Sequence, residues 1–73
     1  MQEEIKKYVN VIINMTKRAK TKEDKKCFKY EAFGALEFAC WYMKNNGQTE
    51  LSIELSRWWE EEIRPFFNKE IYG

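Results

Sequence analysis

Residues 21–47 read TKEDKKCFKYEAFGALEFACWYMKNNG and carry a helix signal at each end. Thr21 followed by Asp24 matches a capping box with a shortened acid, in which the Thr21 hydroxyl accepts hydrogen bonds from free backbone N–H groups. The closing Asn-Asn-Gly tolerates the left-handed conformation that commonly ends a helix. The stretch therefore predicts a helix over residues 22–45 that is about 35 Å long.

Two apolar arcs run along this predicted helix when its residues are placed on a wheel at about 100° per residue. The first arc holds mainly small and aliphatic side chains: Phe28, Ala32, Ala35, Leu36, Ala39, Cys40 and Met43. The second arc is aromatic and surrounds Gly34: Tyr30, Phe38, Trp41 and Tyr42. A helix that is apolar nearly all round is usually buried on most of its sides.

The sequence leaves two interpretations of the aromatic arc open. In the first, this helix is the central one of three, and the other two cover its two arcs. In the second, the arc is a dimer or partner interface, because Trp and Tyr supply a large buried area with few rotatable bonds. The candidate partner-binding residues are Tyr30, Phe38, Trp41, Tyr42 and Trp59, the last at the edge of the core. A glycine inside a helix costs roughly 1 kcal/mol relative to alanine, so Gly34 indicates either close helix packing or a neutral position whose cost is offset by packing elsewhere.

A helix is also predicted on each side of this stretch. Over residues 3–20, apolar or small side chains recur at steps of three and four: Ile5, Val9, Ile12, Thr16 and Ala19. A third helix over residues 50–64, capped by Thr49 or Ser52, places a further set on one side: Leu51, Leu55, Trp58, Trp59 and Ile63. Pro65 disfavours a helical residue before it, so residues 65–70 are expected to form a separate short turn.

The expected fold is therefore all-α, a compact three-helix domain with a short C-terminal helical turn. A chain of 73 residues is shorter than the usual 100–200 residues per domain, which predicts one domain over residues 1–73. The expected core is Ile5, Val9, Ile12, Phe28, Ala32, Leu36, Ala39, Leu51, Leu55 and Trp58.

The residue types argue against catalysis and cofactor binding. Histidine is absent, which removes the commonest general base and metal ligand, and two cysteines cannot build a four-ligand zinc site. No glycine-rich phosphate loop and no nucleophile beside a base occurs in the chain. We therefore expect a non-enzymatic protein with no metal and no cofactor.

The cysteines and the hydropathy bear on the compartment. Cys27 and Cys40 fall on one predicted helix about 20 Å apart, beyond the ~7 Å limit between disulfide-bonded α-carbons. Both are expected to pack as small apolar residues in a reducing compartment. The longest apolar run, 38–43, is far shorter than the ~20 residues that span a bilayer. These features favour a cytoplasmic protein without a membrane segment.

The charges are unevenly distributed along the chain. The net charge is +1, but residues 1–30 carry nine Lys or Arg against four Asp or Glu, whereas residues 31–73 carry four against eight. A basic stripe on the first helix and the following turn favours contact with phosphates. Its members are Lys6, Lys7, Asn10, Asn14, Lys17, Arg18, Lys20, Lys22, Lys25 and Lys26.

Two functional hypotheses follow. The first is a small protein–protein interaction module, an adaptor, inhibitor or regulatory subunit, that docks through aromatic residues on a protein partner or a second copy of itself. Compact inhibitors encoded by phages or mobile elements share this size and composition as a class, and no motif identifies a family. The alternative is a small nucleic-acid-binding protein that uses the basic stripe.

Overall fold

The computed structural model describes all 73 residues and is helical almost throughout. Its elements are α1 (Gln2–Arg18), α2 (Lys22–Asn45), α3 (Thr49–Trp58), a π-helical segment (Trp59–Ile63) and α4 (Arg64–Tyr72). The predicted all-α, three-helix fold is confirmed, because α3, the π-helical segment and α4 join into one C-terminal helix.

The molecule thus has three rods: α1, α2 and the C-terminal rod formed by α3, the π-helical segment and α4. They lie side by side in a bundle whose extents are 40 × 17 × 16 Å. Short connections join α1 to α2 and α2 to α3, which makes sequence neighbours antiparallel. α2 contacts α1, α3 and α4 and is the helix that the other two rods share.

Local capping explains where α2 begins and ends. The Thr21 side chain accepts a hydrogen bond of 3.1 Å from the Asp24 backbone N–H, as the capping-box pattern predicts. At the other end Gly47 has φ 75°, and the Gln48 N–H donates to the Met43 carbonyl over 2.8 Å. This bond belongs to the Schellman arrangement, in which a left-handed glycine closes the helix. α3, by contrast, begins after Gln48 without a side-chain cap, so neither predicted cap, Thr49 or Ser52, is used.

The core is a continuous cluster of apolar side chains from all three rods. Its members are Val9, Ile12, Ala32, Leu36, Ala39, Met43, Leu55, Trp59, Ile63, Phe67 and Ile71. Most of the expected core is present, but Leu51 is exposed. Ile5, Phe28 and Trp58 are partly buried and pack against the edge of the cluster.

The prediction of a helix end at Arg64 followed by a separate turn is wrong, because the C-terminal rod continues through Pro65 to Tyr72. Proline lacks an N–H group and its ring crowds the carbonyl four residues earlier, which breaks an ordinary α-helix. Here the preceding turn is widened into a π-helix, in which the Arg64 N–H donates to the carbonyl of Trp59. Pro65 then lies in the first turn of α4, where its missing N–H has no helical partner to lose.

The same π-helical segment determines which tryptophan is buried. Leu55, Trp59, Ile63, Phe67 and Ile71 are buried and lie four residues apart. In an α-helix each step of four rotates the side chain by about 40°, so five such positions drift away from a single face. The wider π turn reverses part of that rotation and returns the series to the core. The expectation of Trp58 inside and Trp59 at the edge is therefore wrong.

Contacts that involve lysine side chains also join the rods. Lys25 Nζ and Glu70 Oε1 form a partly buried ion pair of 3.0 Å between the beginning of α2 and the end of α4. Lys6 Nζ lies 5.3 Å from the centre of the Trp58 ring, which joins α1 to α3. Two members of the basic stripe, Lys6 and Lys25, therefore make contacts within the molecule.

The two adjacent tryptophans give a direct test of this packing. Trp59→Ala should lower the free energy of unfolding by about 3–5 kcal/mol, because it removes a fully packed ring. Trp58→Ala should cost only about 1–2 kcal/mol, since its ring is partly exposed and loses mainly the Lys6 contact. Chemical denaturation followed by circular dichroism measures both values. A larger loss for Trp58→Ala than for Trp59→Ala would contradict the buried series of the C-terminal rod.

Candidate interaction surface

α2 faces the rest of the molecule on one side only. Its buried side chains Ala32, Leu36, Ala39 and Met43 span an arc of about 60° on a helical wheel. α1 and the C-terminal rod both pack towards this alanine-rich side, because its small side chains allow close approach of helix backbones. The interpretation in which the two other helices cover both arcs of α2 is therefore wrong.

The second arc of α2 is exposed to solvent, and no other helix packs over its large aromatic rings. The exposed fractions are 69% for Tyr30, 59% for Phe38, 60% for Trp41 and 41% for Tyr42. We call these four residues the aromatic face. Isolated apolar side chains are common on protein surfaces, but several neighbouring rings on one helix are typical of an interaction site.

Within the aromatic face, three rings contact one another rather than the core. The Phe38 ring centre lies 6.0 Å from that of Trp41 and 6.5 Å from that of Tyr42. These are ordinary separations for paired rings and restrict the rotamers of all three side chains. The aromatic face is thus partly ordered before any partner binds.

Trp59, the fifth candidate partner-binding residue, does not belong to this surface. It is 3% exposed, and its ring packs between Phe33, at 5.4 Å, and Phe67, at 6.0 Å. It therefore contributes only a small part of the lining of the groove beside Trp41, and its assignment as an exposed docking ring is wrong.

Exposed apolar side chains on α1 extend the surface next to the aromatic face. Tyr8, Val11 and Met15 are all exposed, at steps of three and four on one side of α1. The Tyr8 hydroxyl donates a hydrogen bond of 3.0 Å to Glu31 Oε1, which joins α1 to α2. Sequence reasoning missed these residues as a surface. The available signal was that α1 has more apolar positions than one buried stripe requires.

Gly34 lies in the middle of the aromatic face. A Cβ atom built at this position would meet nothing within 4 Å. The expected close helix packing therefore does not occur within the chain, because no helix of the molecule lies over Gly34. An exposed glycine inside a helix lowers helix stability without an internal contact to offset it.

A shallow groove borders the aromatic face on the side of α3. Its volume is about 390 Å³, and the rings of Phe33, Trp41 and Trp59 form much of its apolar lining. The charged groups Glu37 and Lys44 lie at the same groove. Such a site can receive an apolar side chain while its rim contacts a polar neighbour.

The two cysteines differ in environment. Cys40 is partly buried, and its Sγ lies 3.5 Å from Ser56 Oγ and 3.6 Å from the Ser52 carbonyl. Cys27 is exposed, which contradicts the expectation that both cysteines are packed, and both thiols are free. No group of three or more His, Cys, Asp or Glu side chains is arranged to hold a metal ion.

The basic stripe is divided between internal contacts and solvent. Lys25 pairs with Glu70, and Lys6 and Lys17 lie over the rings of Trp58 and Phe66. Lys26 is partly buried. Lys17 is exposed despite its contact with Phe66, and so are the remaining members: Lys7, Asn10, Asn14, Arg18, Lys20 and Lys22. The stripe is therefore not one continuous set of free cations.

Comparison with protein-family models, curated proteins and solved structures finds no match to this chain. None of its helices has the combination of length and apolar character that crossing a membrane requires.

The contact between Tyr8 and Glu31 gives a test of how α1 borders the aromatic face. The hydrogen bond to Glu31 raises the pKa of Tyr8 above its usual value, and desolvation and the Glu31 charge act in the same direction. The folded state therefore favours the neutral phenol. This stabilisation is present below the usual tyrosine pKa and is lost as the pH rises through the raised value.

Replacing the carboxylate, as in Glu31→Gln, should lower the Tyr8 pKa towards its usual value, because the charged acceptor is gone. NMR titration of the Tyr8 ring signals measures the shift. Glu37→Gln, on the same helix but on the side facing α3, is the matched control and should leave the Tyr8 pKa unchanged. Equal titration of Tyr8 in the wild type and in Glu31→Gln would contradict the contact.

Proposed function

We propose that this chain is a small non-enzymatic protein–protein interaction module, an adaptor, inhibitor or regulatory subunit, that docks through the aromatic face of α2. The observation that carries the proposal is the exposure of Tyr30, Phe38, Trp41 and Tyr42 on the one side of α2 that no helix covers. Keeping several rings in water is unfavourable, and burial against a partner recovers that free energy.

Trp41 is the expected anchor of the docking contact. It combines a large exposed ring with a position beside the groove between α2 and α3, and Phe38 packs against it. Tryptophan and tyrosine dominate binding energy at interfaces, where one well-placed ring contributes about 2 kcal/mol or more. A partly ordered ring also loses less conformational entropy when it binds.

The chemistry of the complementary surface follows from the residues around the rings. Glu31 and Glu37 lie on either side of the aromatic face along α2, and Lys44 follows near its end. A suitable partner presents an apolar groove for a single helix face, with hydrogen-bond donors or basic groups near the two glutamates. These border charges determine orientation, whereas the rings supply most of the affinity.

A photocrosslinking amino acid placed at Phe38 in the native host tests the proposal. The matched control carries the same amino acid at Asn10, which is exposed on α1 away from the aromatic face. A protein that crosslinks from position 38 and not from position 10 is then identified and purified, and its affinity for the chain is measured.

For that purified partner, Trp41→Ala should weaken binding by tenfold or more, in line with an anchor contribution of about 2 kcal/mol. Leu51→Ala removes an exposed apolar side chain on α3 and should leave the affinity unchanged. Circular dichroism must show that both variants stay folded. Equal affinities of the Trp41 and Leu51 variants would refute docking through the aromatic face.

Nucleic-acid binding is the second candidate, and the observation that favours it is a cluster of exposed cations where α1 meets α2. Lys17, Arg18, Lys20 and Lys22 are exposed there. If this cluster binds phosphates, the double change Lys17→Ala and Arg18→Ala should reduce the salt dependence of binding by about one to two units of slope. Arg57→Ala on α3 is the control. Identical salt dependence in wild type and double variant would exclude the cluster.

A further inference from the structure

We infer that the groove between α2 and the C-terminal rod binds an arginine side chain of the protein that docks on the aromatic face. The guanidinium lies against the Trp41 ring and pairs with Glu37, while apolar groups of the same partner cover the remaining rings. The inference rests on the proposed function of the aromatic face and names the chemistry of the partner that covers it.

Lysine side chains lie over rings elsewhere in the molecule but not on the aromatic face. Three rings outside this face each have a lysine Nζ between 5.3 and 5.9 Å from their centre: Trp58 with Lys6, Phe66 with Lys17 and Tyr72 with Lys29. No lysine or arginine of the chain lies over Trp41, although tryptophan attracts cations more strongly than tyrosine or phenylalanine does. The Trp41 ring, 60% exposed, is therefore free to bind a cation from another molecule.

The charges of the aromatic face favour a basic partner. Between Tyr30 and Tyr42, α2 carries only two charged residues, and both are acidic: Glu31 and Glu37. Glu37 forms no ion pair within the chain. A carboxylate that an apolar partner covers loses its hydration, which is unfavourable unless a cation replaces the water. A second copy of the same face would bring further carboxylates instead, so the charges select a partner with a cation at this position.

Glu37 and Trp41 lie at the same groove and on the same side of α2. They are four residues apart, which places their Cβ atoms about 6 Å from each other on the helix surface. The groove has a volume of about 390 Å³, within the range of roughly 300–1,000 Å³ that is common for ligand sites. A cation stacked on Trp41 is therefore within reach of the Glu37 carboxylate, and both attractions act on one side chain.

The other charged residues at the groove limit where the cation binds. Glu60 Oε2 accepts a hydrogen bond of 2.8 Å from Arg64 Nη1, so its charge is already compensated. Lys44 also lines the groove, seven residues beyond Glu37 and hence about 10 Å away along the axis of α2. Lys44 repels a cation at its own end of the groove. The bound cation is therefore expected at the end near Glu37.

The chemistry of the groove favours arginine over lysine. A guanidinium is planar and weakly hydrated, so it stacks on an aromatic ring at less cost than an ammonium group does. It also presents several N–H groups in one plane and forms paired hydrogen bonds with a carboxylate. One arginine can thus use the ring and the carboxylate at once. The expected partner presents an arginine within an apolar surface.

NMR titration of the full chain with N-acetylarginine amide tests the inference. The Trp41 indole N–H and the Glu37 carboxyl signals should shift together and saturate, with a Kd that is roughly millimolar for a ligand of this size. N-acetylcitrulline amide has the same shape without the charge and should bind at least about fivefold more weakly. Equal binding of the two compounds, or shifts that do not saturate, would overturn the inference.

Glu37→Gln separates ion pairing from stacking. The variant should bind the arginine compound about threefold more weakly and should discriminate less between the two compounds, because only the ring remains. Glu61→Gln removes an exposed carboxylate that does not line the groove, and this matched control should bind like the wild type. Identical affinities of the wild type and Glu37→Gln for the arginine compound would exclude Glu37 as the pairing group.

Two further changes test the position of the cation. Trp41→Leu keeps an apolar side chain but removes the ring, and it should weaken binding of the arginine compound about threefold. Lys44→Gln should instead strengthen this binding by about twofold, because a repelling charge is removed. Both residues are exposed, so the fold should be retained, which circular dichroism checks. An unchanged affinity in Trp41→Leu, or a loss of affinity in Lys44→Gln, would contradict the proposed position.

The failure of this inference can be distinguished from the failure of the proposed function. A partner that crosslinks from position 38 but binds Glu37→Gln as tightly as the wild type refutes the arginine site and leaves the interaction module intact. A groove that binds the arginine compound, in a chain whose Trp41→Ala variant keeps full affinity for the partner, refutes docking through the aromatic face.

Discussion

The packing of two rods against the alanine-rich side of α2 is the interaction on which the rest of the structure depends. Ala32 and Ala39 are fully buried, and their small side chains let the neighbouring helices approach closely on the same side. With both neighbours on that side, none of these helices covers the other side of α2. The exposed aromatic face is therefore a consequence of core packing and not an independent feature.

The sequence predicts the ends of α2 better than it predicts which side of α2 is buried. Caps depend on a few local residues, such as Thr21 and Gly47, whose backbone preferences act within one turn. Burial depends on which surfaces fit together across the bundle. By hydrophobicity alone, the arc with Phe38 and Trp41 is as good a core side as the alanine arc. The size of the side chains determines which side is buried, because helices pack most closely through small side chains.

The two adjacent tryptophans also show that burial is harder to predict from the sequence than helix formation. Trp58 and Trp59 are equally apolar, so a helical wheel of the third helix cannot choose between them. The choice comes from the four-residue spacing of Leu55, Trp59 and Ile63, which an ordinary α-helix does not keep on one face. That spacing is visible in the sequence, and together with Pro65 it indicates a widened turn. Nothing in the sequence, however, indicates which basic groups lie over rings, because such contacts join distant elements.

Gly34 is exposed and lowers the stability of α2. Alanine at this position would strengthen α2 and, within one chain, would collide with nothing. The chain contains no contact with Gly34 that offsets this loss of helix stability. The incomplete burial of its aromatic residues agrees with the general rule that short chains bury a smaller fraction of their surface than long ones.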